Sequence, residues 1–486
     1  MNRFLKAFMS VTIISVATRC LCFFFKIYLS RTLTLEMLGS YQIAMNIFMV
    51  FIAVVSSGLP ITLSREVAFE VSRGDLTLAN KKATAGLSLA GVLSILSFLG
   101  LFVLSFFLSD GSGEFLEVAS FSLIFFGVYA VSRGYLWGKR EFFAFSFLEF
   151  LEEVLTFLFA FIFISVAFFD SALQNVALAF VVSSVVCGVL GIFTYFKKGG
   201  TIIFAKSQVA KIAKSSSFIT VMRIAGTAFA SLYTICLPKF MMASGFSNSE
   251  SLALVGLFYG MVTPLLFIPS SLVSGLSLVL VPEVASFASE NSQVRKTVGL
   301  AMQLAILFAV VFIPFYQIFG VEITSFLFEN SESGEFLKIA CFAVLPISLN
   351  LLLSSFMNSL SLEKYNFAHF FVSGILCFSL LYPATVVFGK YGIIFVFILQ
   401  PTIPCILNLR VLAKRTEMKK RHVARFLSPT LLLLPCFLIS VLFDGITAGL
   451  PAFFTLAISG IGIFIFTSAL FYAFFYPEGK KGVNFS

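Results

Sequence analysis

Two cations lie inside an apolar run near the start of the chain. Arg19 lies near the middle of a run from about 8 to 29, and Lys26 follows seven positions later. Seven residues are nearly two turns of an α-helix, so both side chains project from one face, roughly 10 Å apart along the axis. Each cation at bilayer depth costs about 2.5 to 3.5 kcal/mol, which is tolerated mainly where the side chain reaches water or an anion. The spacing therefore predicts a helix with one face toward a wet, positive cavity.

Three acids form a cluster in a later apolar run: Glu149, Glu152 and Glu153. If this run enters from the cytoplasmic side, the acids lie about 10 to 15 Å deep. Two interpretations are open, since the acids either pair with Arg19 or Arg133 or lie at the headgroup border. Three carboxylates facing lipid would be costly, which favours the ion pairs.

The composition indicates the elements that must position these residues. With 59% hydrophobic residues, 12% charged residues and a mean hydropathy of +1.03, the chain has more apolar surface than a soluble core buries. It is therefore predicted to be an all-α, polytopic membrane protein. Because a helix needs about 20 residues to span a bilayer, we expect about fourteen transmembrane helices, near 8–30, 40–64, 84–108, 116–137, 143–169, 173–196, 216–243, 252–280, 298–320, 335–360, 366–388, 391–412, 426–444 and 450–476.

The distribution of charge predicts the orientation. With fourteen helices and a cytoplasmic N-terminus, inner loops and tails hold 24 of the 33 lysines and arginines. The positive-inside rule then places both termini in the cytoplasm. We expect a multi-pass protein of the plasma (inner) membrane. The net charge of +10 is explained by contact with anionic membrane lipids, and it does not call for nucleic acid.

An internal repeat predicts the architecture. Segment 57–68, SGLPITLSREVA, matches 274–285, SGLSLVLVPEVA, at seven of twelve positions. An even number of helices between the copies predicts a parallel repeat. Gly58, Pro60 and Gly275 lie in the repeated motif, where they act either as hinges for the second and eighth helices or as sites of close helix packing.

The repeat also predicts the domain boundaries. We expect an N-lobe of helices 1–6 at 1–205 and a C-lobe of helices 7–12 at 206–413, which together form a pseudo-symmetric, V-shaped pair. Residues 414–486 would form a basic cytoplasmic linker and two further helices.

Several segments of the chain resemble those of a known family. The cationic first helix, the segment GSYQIAMNIFMVFIAVVSSGLPITLSREVAFEVSRGD (39–75) and SRGYLWGKREF (132–142) are similar to the oligosaccharidyl-lipid flippases of the MATE-like (MOP) superfamily. Within this superfamily the chain looks like the stage V sporulation protein B and polysaccharide-export flippases, with the lipid II flippases nearby. The resemblance covers about residues 5 to 415, and its motifs indicate the superfamily better than the substrate.

The resemblance implies a flippase of cell-wall or polysaccharide synthesis that works by alternating access. It would move an undecaprenyl-diphosphate-linked sugar, a peptidoglycan or polysaccharide precursor, from the inner to the outer leaflet. Arg19 and Lys26 correspond to the basic first-helix positions of lipid II flippases, and Arg223 is a third candidate for binding the diphosphate. Arginine suits such an anion because its planar fork offers several charged donors. As an alternative, Lys26 and Arg223 simply extend toward the headgroups.

Two further function classes are open. A MATE-type small-molecule exporter would prefer an acidic or aromatic cavity, against which the cationic first helix argues. A non-transporting member would instead act as a scaffold for envelope-synthesis proteins. An enzyme is not expected, because the chain has no Walker motif, no paired metal-ligand motif and only two histidines, and we expect neither a cofactor nor a metal.

Overall fold

The computed structural model describes residues 3–56, 58–108, 111–287 and 290–475. Within these ranges the chain is helical and contains no strand, so the predicted all-α class is confirmed. The α-helices are α1 Arg3–Thr32, α2 Leu35–Ser56, α3 Leu59–Ser72, α4 Leu76–Ser105, α5 Ser112–Ala119, α6 Ser122–Gly138, α7 Phe142–Val166, α8 Ala172–Lys197, α9 Lys206–Ala243, α10 Asn248–Val255, α11 Thr263–Ser286, α12 Asn291–Phe328, α13 Glu332–Ala340, α14 Val344–Ser359, α15 Glu363–Phe388, α16 Gly392–Arg415, α17 Lys420–Leu427, α18 Leu433–Thr447 and α19 Ala452–Phe475.

Local sequence signals set several helix starts. Asp75 caps α4 by accepting a hydrogen bond from the Leu78 amide at 2.8 Å. Ser247 and Glu250 form a capping box at the start of α10. Such side chains satisfy amide groups that have no partner within the first turn of a helix.

Fewer membrane spans than predicted are found when the helices of the structure are counted by length and composition alone. The described residues contain 11 helices long and apolar enough to cross a membrane, or 12 if α5 and α6, bent by 54°, form one span. The predicted count of fourteen is therefore not confirmed. Two predicted spans are missing from the count of 12. Helix α7 carries three glutamates and is therefore not apolar enough, and α15 and α16 form the single segment Glu363–Arg415, with a 3₁₀ turn at Gly389–Tyr391 between them.

The chain divides into two compact units, Met1–Pro238 and Lys239–Ser486. In the first unit, α6 packs against α3, α4 and α8, while α7 packs against α1 and α8. In the second unit, α12 packs against α11, α13, α14, α18 and α19. The lobe boundaries predicted from the repeat, after residues 205 and 413, stay a prediction.

Two glycines bring α6 close to α3. A Cβ atom on Gly134 would lie 2.9 Å from Pro60 Cα, and one on Gly138 would lie 2.8 Å from the Ser64 carbonyl oxygen. Small residues four positions apart, here in the sequence GYLWG, let two helix backbones approach closely. This contact fixes the rotation of α6, and therefore the direction of the neighbouring Arg133 side chain.

The two copies of the repeated motif differ in local structure. In the first copy, α2 ends at Ser56 and α3 begins at Leu59, with Gly58 buried and Pro60 in the first turn of α3. In the second copy, Gly275 is exposed and lies inside the continuous helix α11. A π-helical segment, Gly256–Val262, interrupts that region earlier. The structure therefore places a helix break at Gly58 and none at Gly275, and the hinge role of these positions stays a prediction.

A second duplicated sequence lies in matching helices of the two units. SGEFL occurs at 112–116 and again at 333–337, in the short helices α5 and α13. In both copies the serine, glycine, phenylalanine and leucine are buried, and the glutamate is exposed. Each short helix then leads into a longer one, α6 or α14. These matching details support a duplication, while the parallel arrangement of the copies stays a prediction.

A network of amides links three helices of the second unit. Buried Asn408 of α16 accepts a hydrogen bond from His369 of α15 at 2.8 Å if His369 carries its proton on Nδ1. The Asn408 amide nitrogen donates to Asn366 at 3.0 Å and to Asn350 of α14 at 3.3 Å. Interhelical hydrogen bonds of this kind satisfy polar groups within apolar surroundings.

Candidate functional site

A polar pocket of about 250 Å³ lies within the first unit, between three helices. Helices α1, α6 and α7 supply its lining residues, which are Ser15, Thr18, Arg19, Arg133, Glu149, Glu152 and Glu153. Among the described residues it joins five of those predicted from the sequence to bind an anion or to form ion pairs.

The contribution of α1 follows from its helical spacing. Ser15 and Arg19 are four positions apart and therefore lie on one face, with Thr18 beside them. The Thr18 hydroxyl donates to the Ile14 carbonyl at 2.9 Å, while Arg19 is exposed. This face of α1 thus presents one guanidinium and two hydroxyl groups to the pocket.

Arg133 of α6 is held by contacts of two kinds. Its guanidinium forms an ion pair with Glu149 of α7. The same group lies over the rings of Tyr129 and Phe145, with its central carbon 5.2 and 5.0 Å from the ring centroids. Its Nε atom is buried and has no hydrogen-bond partner. The aromatic rings therefore fix the position of Arg133, while one of its donors stays unused.

One face of α7 carries the acids toward α6. Phe145, Glu149, Glu152 and Thr156 recur at intervals of four, three and four, which is the spacing of a single helix face. Thr156 is buried and donates to the Ser183 hydroxyl of α8 at 2.8 Å. This hydrogen bond anchors α7 on α8, so the face that carries Glu149 and Glu152 is directed into the pocket.

The two remaining acids differ in their neighbours. Glu152 lies within electrostatic range of Arg133 and beside the Tyr129 hydroxyl, which does not reach hydrogen-bond geometry with any group. Glu153 lies beside the Cys22 thiol and within electrostatic range of Lys26. The pocket itself therefore combines two arginines with three glutamates, and Lys26 adds a third cation near its edge.

The other predicted residues lie outside the pocket lining. Lys26 is exposed on α1, and Arg223 is exposed on α9. Gly58 and Pro60 lie at the break between α2 and α3, and Gly275 lies in the second unit. Sequence reasoning did not identify Tyr129 or Phe145, although each lies four positions from a charged pocket residue on its own helix.

The donor set of the pocket does not resemble a metal site. The part of the chain that the structure describes contains no group of three or more histidines, cysteines or acids arranged to hold a metal ion. The arginines instead offer several charged donors to an anion, and the glutamates offer acceptors to a cation or a proton. Either kind of ligand would replace part of the existing ion-pair network.

Comparison with known proteins identifies the family of this chain. Residues 4–288, more than half of the chain, match the family model described as polysaccharide biosynthesis protein. The chain is 24% identical over 360 residues to the stage V sporulation protein B of Bacillus subtilis (strain 168), an alignment that covers 69% of each protein.

Solved structures with the same fold extend the comparison. The lipid II flippase MurJ in an inward closed conformation has a TM-score of 0.74 at 14% identity, covering 95% of this chain and 98% of that one. An inward-facing multidrug resistance MATE family transporter of the MOP superfamily has a TM-score of 0.69 at 14% identity, covering 85% and 98%. Such low identity shows the fold alone, and this fold is that of multi-pass membrane proteins. The predicted resemblance is confirmed for the fold, and the extent of the family match shows that the chain belongs to the polysaccharide biosynthesis protein family.

Proposed function

We propose that this protein is a flippase that moves an undecaprenyl-diphosphate-linked sugar from the inner to the outer leaflet of the plasma membrane. The observation that carries the proposal is that Arg19 and Arg133 line one pocket within apolar helices. We assign these two side chains the task of binding the diphosphate. Lys26, near Glu153, is a further cation that the headgroup meets at the pocket edge.

The chemistry of the substrate agrees with the chemistry of the pocket. A diphosphate keeps two or more negative charges, which need charge-assisted hydrogen bonds when they leave bulk water. Guanidinium groups supply such bonds in pairs, and Ser15 and Thr18 line the pocket beside them. The polyprenyl tail needs no polar partner, because it stays in the hydrocarbon of the membrane.

Family membership and fold add support from a different direction. The chain belongs to the polysaccharide biosynthesis protein family and shares its fold with a protein named as a lipid II flippase. Alternating access within such a fold would carry the headgroup across the membrane. The positive-inside distribution of lysine and arginine supports cytoplasmic termini.

Three glutamates in the same pocket favour a second candidate function. Glu149, Glu152 and Glu153 would suit an organic cation, which is the substrate class expected of a MATE-type exporter. The two functions differ in the sign of charge that the pocket accepts. They are therefore separated by the charge of the molecule that is transported.

A transport assay in proteoliposomes tests the proposal. We expect wild-type protein to translocate a labelled undecaprenyl-diphosphate sugar and to leave a lipophilic organic cation untransported. Arg19→Ala should weaken binding of the lipid diphosphate about 10-fold or more, because it removes at least one charge-assisted hydrogen bond. Arg19→Lys should restore part of the binding, since it keeps the charge and loses the fork.

Arg31→Ala provides a matched control for this assay. Arg31 is exposed in the last turn of the same helix, roughly 18 Å along the axis from Arg19. Its replacement should leave binding unchanged. Transport of the organic cation alone would replace the flippase by the exporter, and absence of transport of either molecule would favour the scaffold role.

A further inference from the structure

The pocket proposed to bind an anion already contains anions. Arg133 is paired with Glu149, and two more glutamates line the same space. A diphosphate that enters therefore meets a cation that a carboxylate has already neutralised. At Arg133 the diphosphate therefore competes with a carboxylate that is already present.

The contacts of Arg133 do not all depend on Glu149. Its guanidinium lies over the rings of Tyr129 of its own helix and Phe145 of α7, and these contacts do not involve the carboxylate. Aromatic faces attract a guanidinium by about 0.5 to 2 kcal/mol. Arg133 also keeps a buried Nε donor without a partner. The guanidinium is thus prepared to accept another anion in the same position.

Glu149 is held less firmly than its partner. Its side chain is 38% exposed, compared with 23% for Arg133. The carboxylate lies one helical turn beyond Phe145, so it leaves Arg133 by rotation of its own side chain while the helix stays in place. Glu149 also lines the polar pocket, so the released carboxylate keeps polar groups such as Ser15 and Thr18 within the same space.

We propose that Glu149 is an internal counter-ion of Arg133, which the diphosphate of the lipid-linked substrate displaces when it binds. The inference rests on the proposed function and deepens it. In the empty pocket the ion pair links α6 to α7 through Arg133 and Glu149. In the loaded pocket this link is replaced by a contact between Arg133 and the substrate. Occupancy of the pocket thereby controls a contact between two helices.

The exchange predicts an unusual effect of removing a charged pocket residue. Glu149→Gln keeps the size of the side chain and removes the charge that competes with the substrate. Because the competitor is weakened, the diphosphate should bind about ten-fold more tightly to this variant than to wild type. A glutamate that bound the substrate directly, or that only supported the fold, would give weaker or unchanged binding.

The test measures binding of undecaprenyl diphosphate to the purified full chain, with inorganic pyrophosphate as a second probe for the headgroup alone. The matched control is Glu141→Gln, which removes the same charge from the same unit. Glu141 pairs with Lys198 at 2.8 Å and does not line the pocket. We expect tighter binding of both probes to Glu149→Gln and unchanged binding to Glu141→Gln.

Glu149→Asp keeps the test valid if the glutamine variant does not fold. The shorter acid retains its charge and reaches Arg133 less well, so binding should again be tighter than in wild type, by a smaller factor. Unchanged or weaker binding to the Glu149 variants, together with weaker binding to Arg19→Ala, would overturn the counter-ion role and leave the flippase proposal intact. Absence of diphosphate binding to wild type and every variant would overturn both.

Discussion

The guanidinium of Arg133 lies 5.0 Å from the centroid of the Phe145 ring and pairs with Glu149, one turn further along the same helix. One cation of α6 is thus held by an aromatic ring and a carboxylate of α7. The attraction of the ring for Arg133 requires no charge on α7, whereas the carboxylate is the group that we propose the substrate displaces. This difference separates residues that position Arg133 from residues that compete for it.

Replacing the ring should weaken binding without unfolding the protein. Phe145→Leu keeps an apolar side chain and removes the attraction between ring and guanidinium, about 0.5 to 1 kcal/mol. Binding of undecaprenyl diphosphate should therefore weaken about two- to five-fold. Phe143→Leu is the control, because Phe143 is 61% exposed and stacks on Phe147 instead. Equal losses in both variants would show that the Phe145 ring has no specific effect on Arg133.

The pair of Arg133 and Glu149 should show measurable coupling in the empty protein. A double-mutant cycle with Arg133→Ala, Glu149→Ala and the double variant should give about 1 kcal/mol of favourable coupling, limited by the partial exposure of both side chains. The apparent stability is measured by unfolding in detergent. A saturating concentration of the lipid diphosphate should reduce the coupling, because the ligand replaces the pair. Coupling that persists at saturation contradicts the displacement.

The close contact of α6 with α3 should not tolerate a larger residue. Gly134→Ala places a methyl group 2.9 to 3.0 Å from the backbone of Pro60, so the helices must separate, at a cost of about 1 to 3 kcal/mol. The apparent melting temperature should fall, and diphosphate binding should weaken because Arg133 moves with α6. Gly91→Ala is the matched control in α4, where nothing lies within 4 Å of the added methyl group. That variant should be neutral or slightly stabilised, since alanine favours helix more than glycine does.

Lys82 should be essential for stability but not for binding of the lipid diphosphate. Its ammonium group contacts Glu66 at 2.7 Å and Glu70 at 2.6 Å, and the Glu70 side chain is only 5% exposed. Lys82→Ala leaves a buried carboxylate unpaired, which should cost about 3 kcal/mol or more. Adding Glu70→Gln should recover much of that loss, because the buried charge is then removed as well. Lys81→Ala is the neighbouring control, and a similar loss of melting temperature there would argue against the pairing as the cause.

The sequence by itself determined that this protein lies in a membrane and which of its residues are unusual in that environment. Composition and the length of the apolar runs indicated a helical membrane protein, because these properties depend only on how many apolar groups must avoid water. The depth of Arg19 and of the α7 acids within their runs marked them as candidates, since charge in an apolar run is costly wherever the helix packs. The periodicity of a single helix also predicted which of these residues share a face.

Only the tertiary structure decided which charges meet. The sequence left Arg19 and Arg133 as equal candidates to pair with the acids, and the structure pairs Arg133 with Glu149 while Arg19 lines the same pocket. This ion pair depends on the rotation of α6, which the contact of Gly134 with Pro60, 74 positions earlier in the chain, constrains. It also depends on the register of α7, set by Thr156 and Ser183. Contacts between distant segments have no periodicity along the chain. A local pattern therefore specifies which side of each helix is polar, and the packing of the helices decides which polar residues of other helices that side contacts.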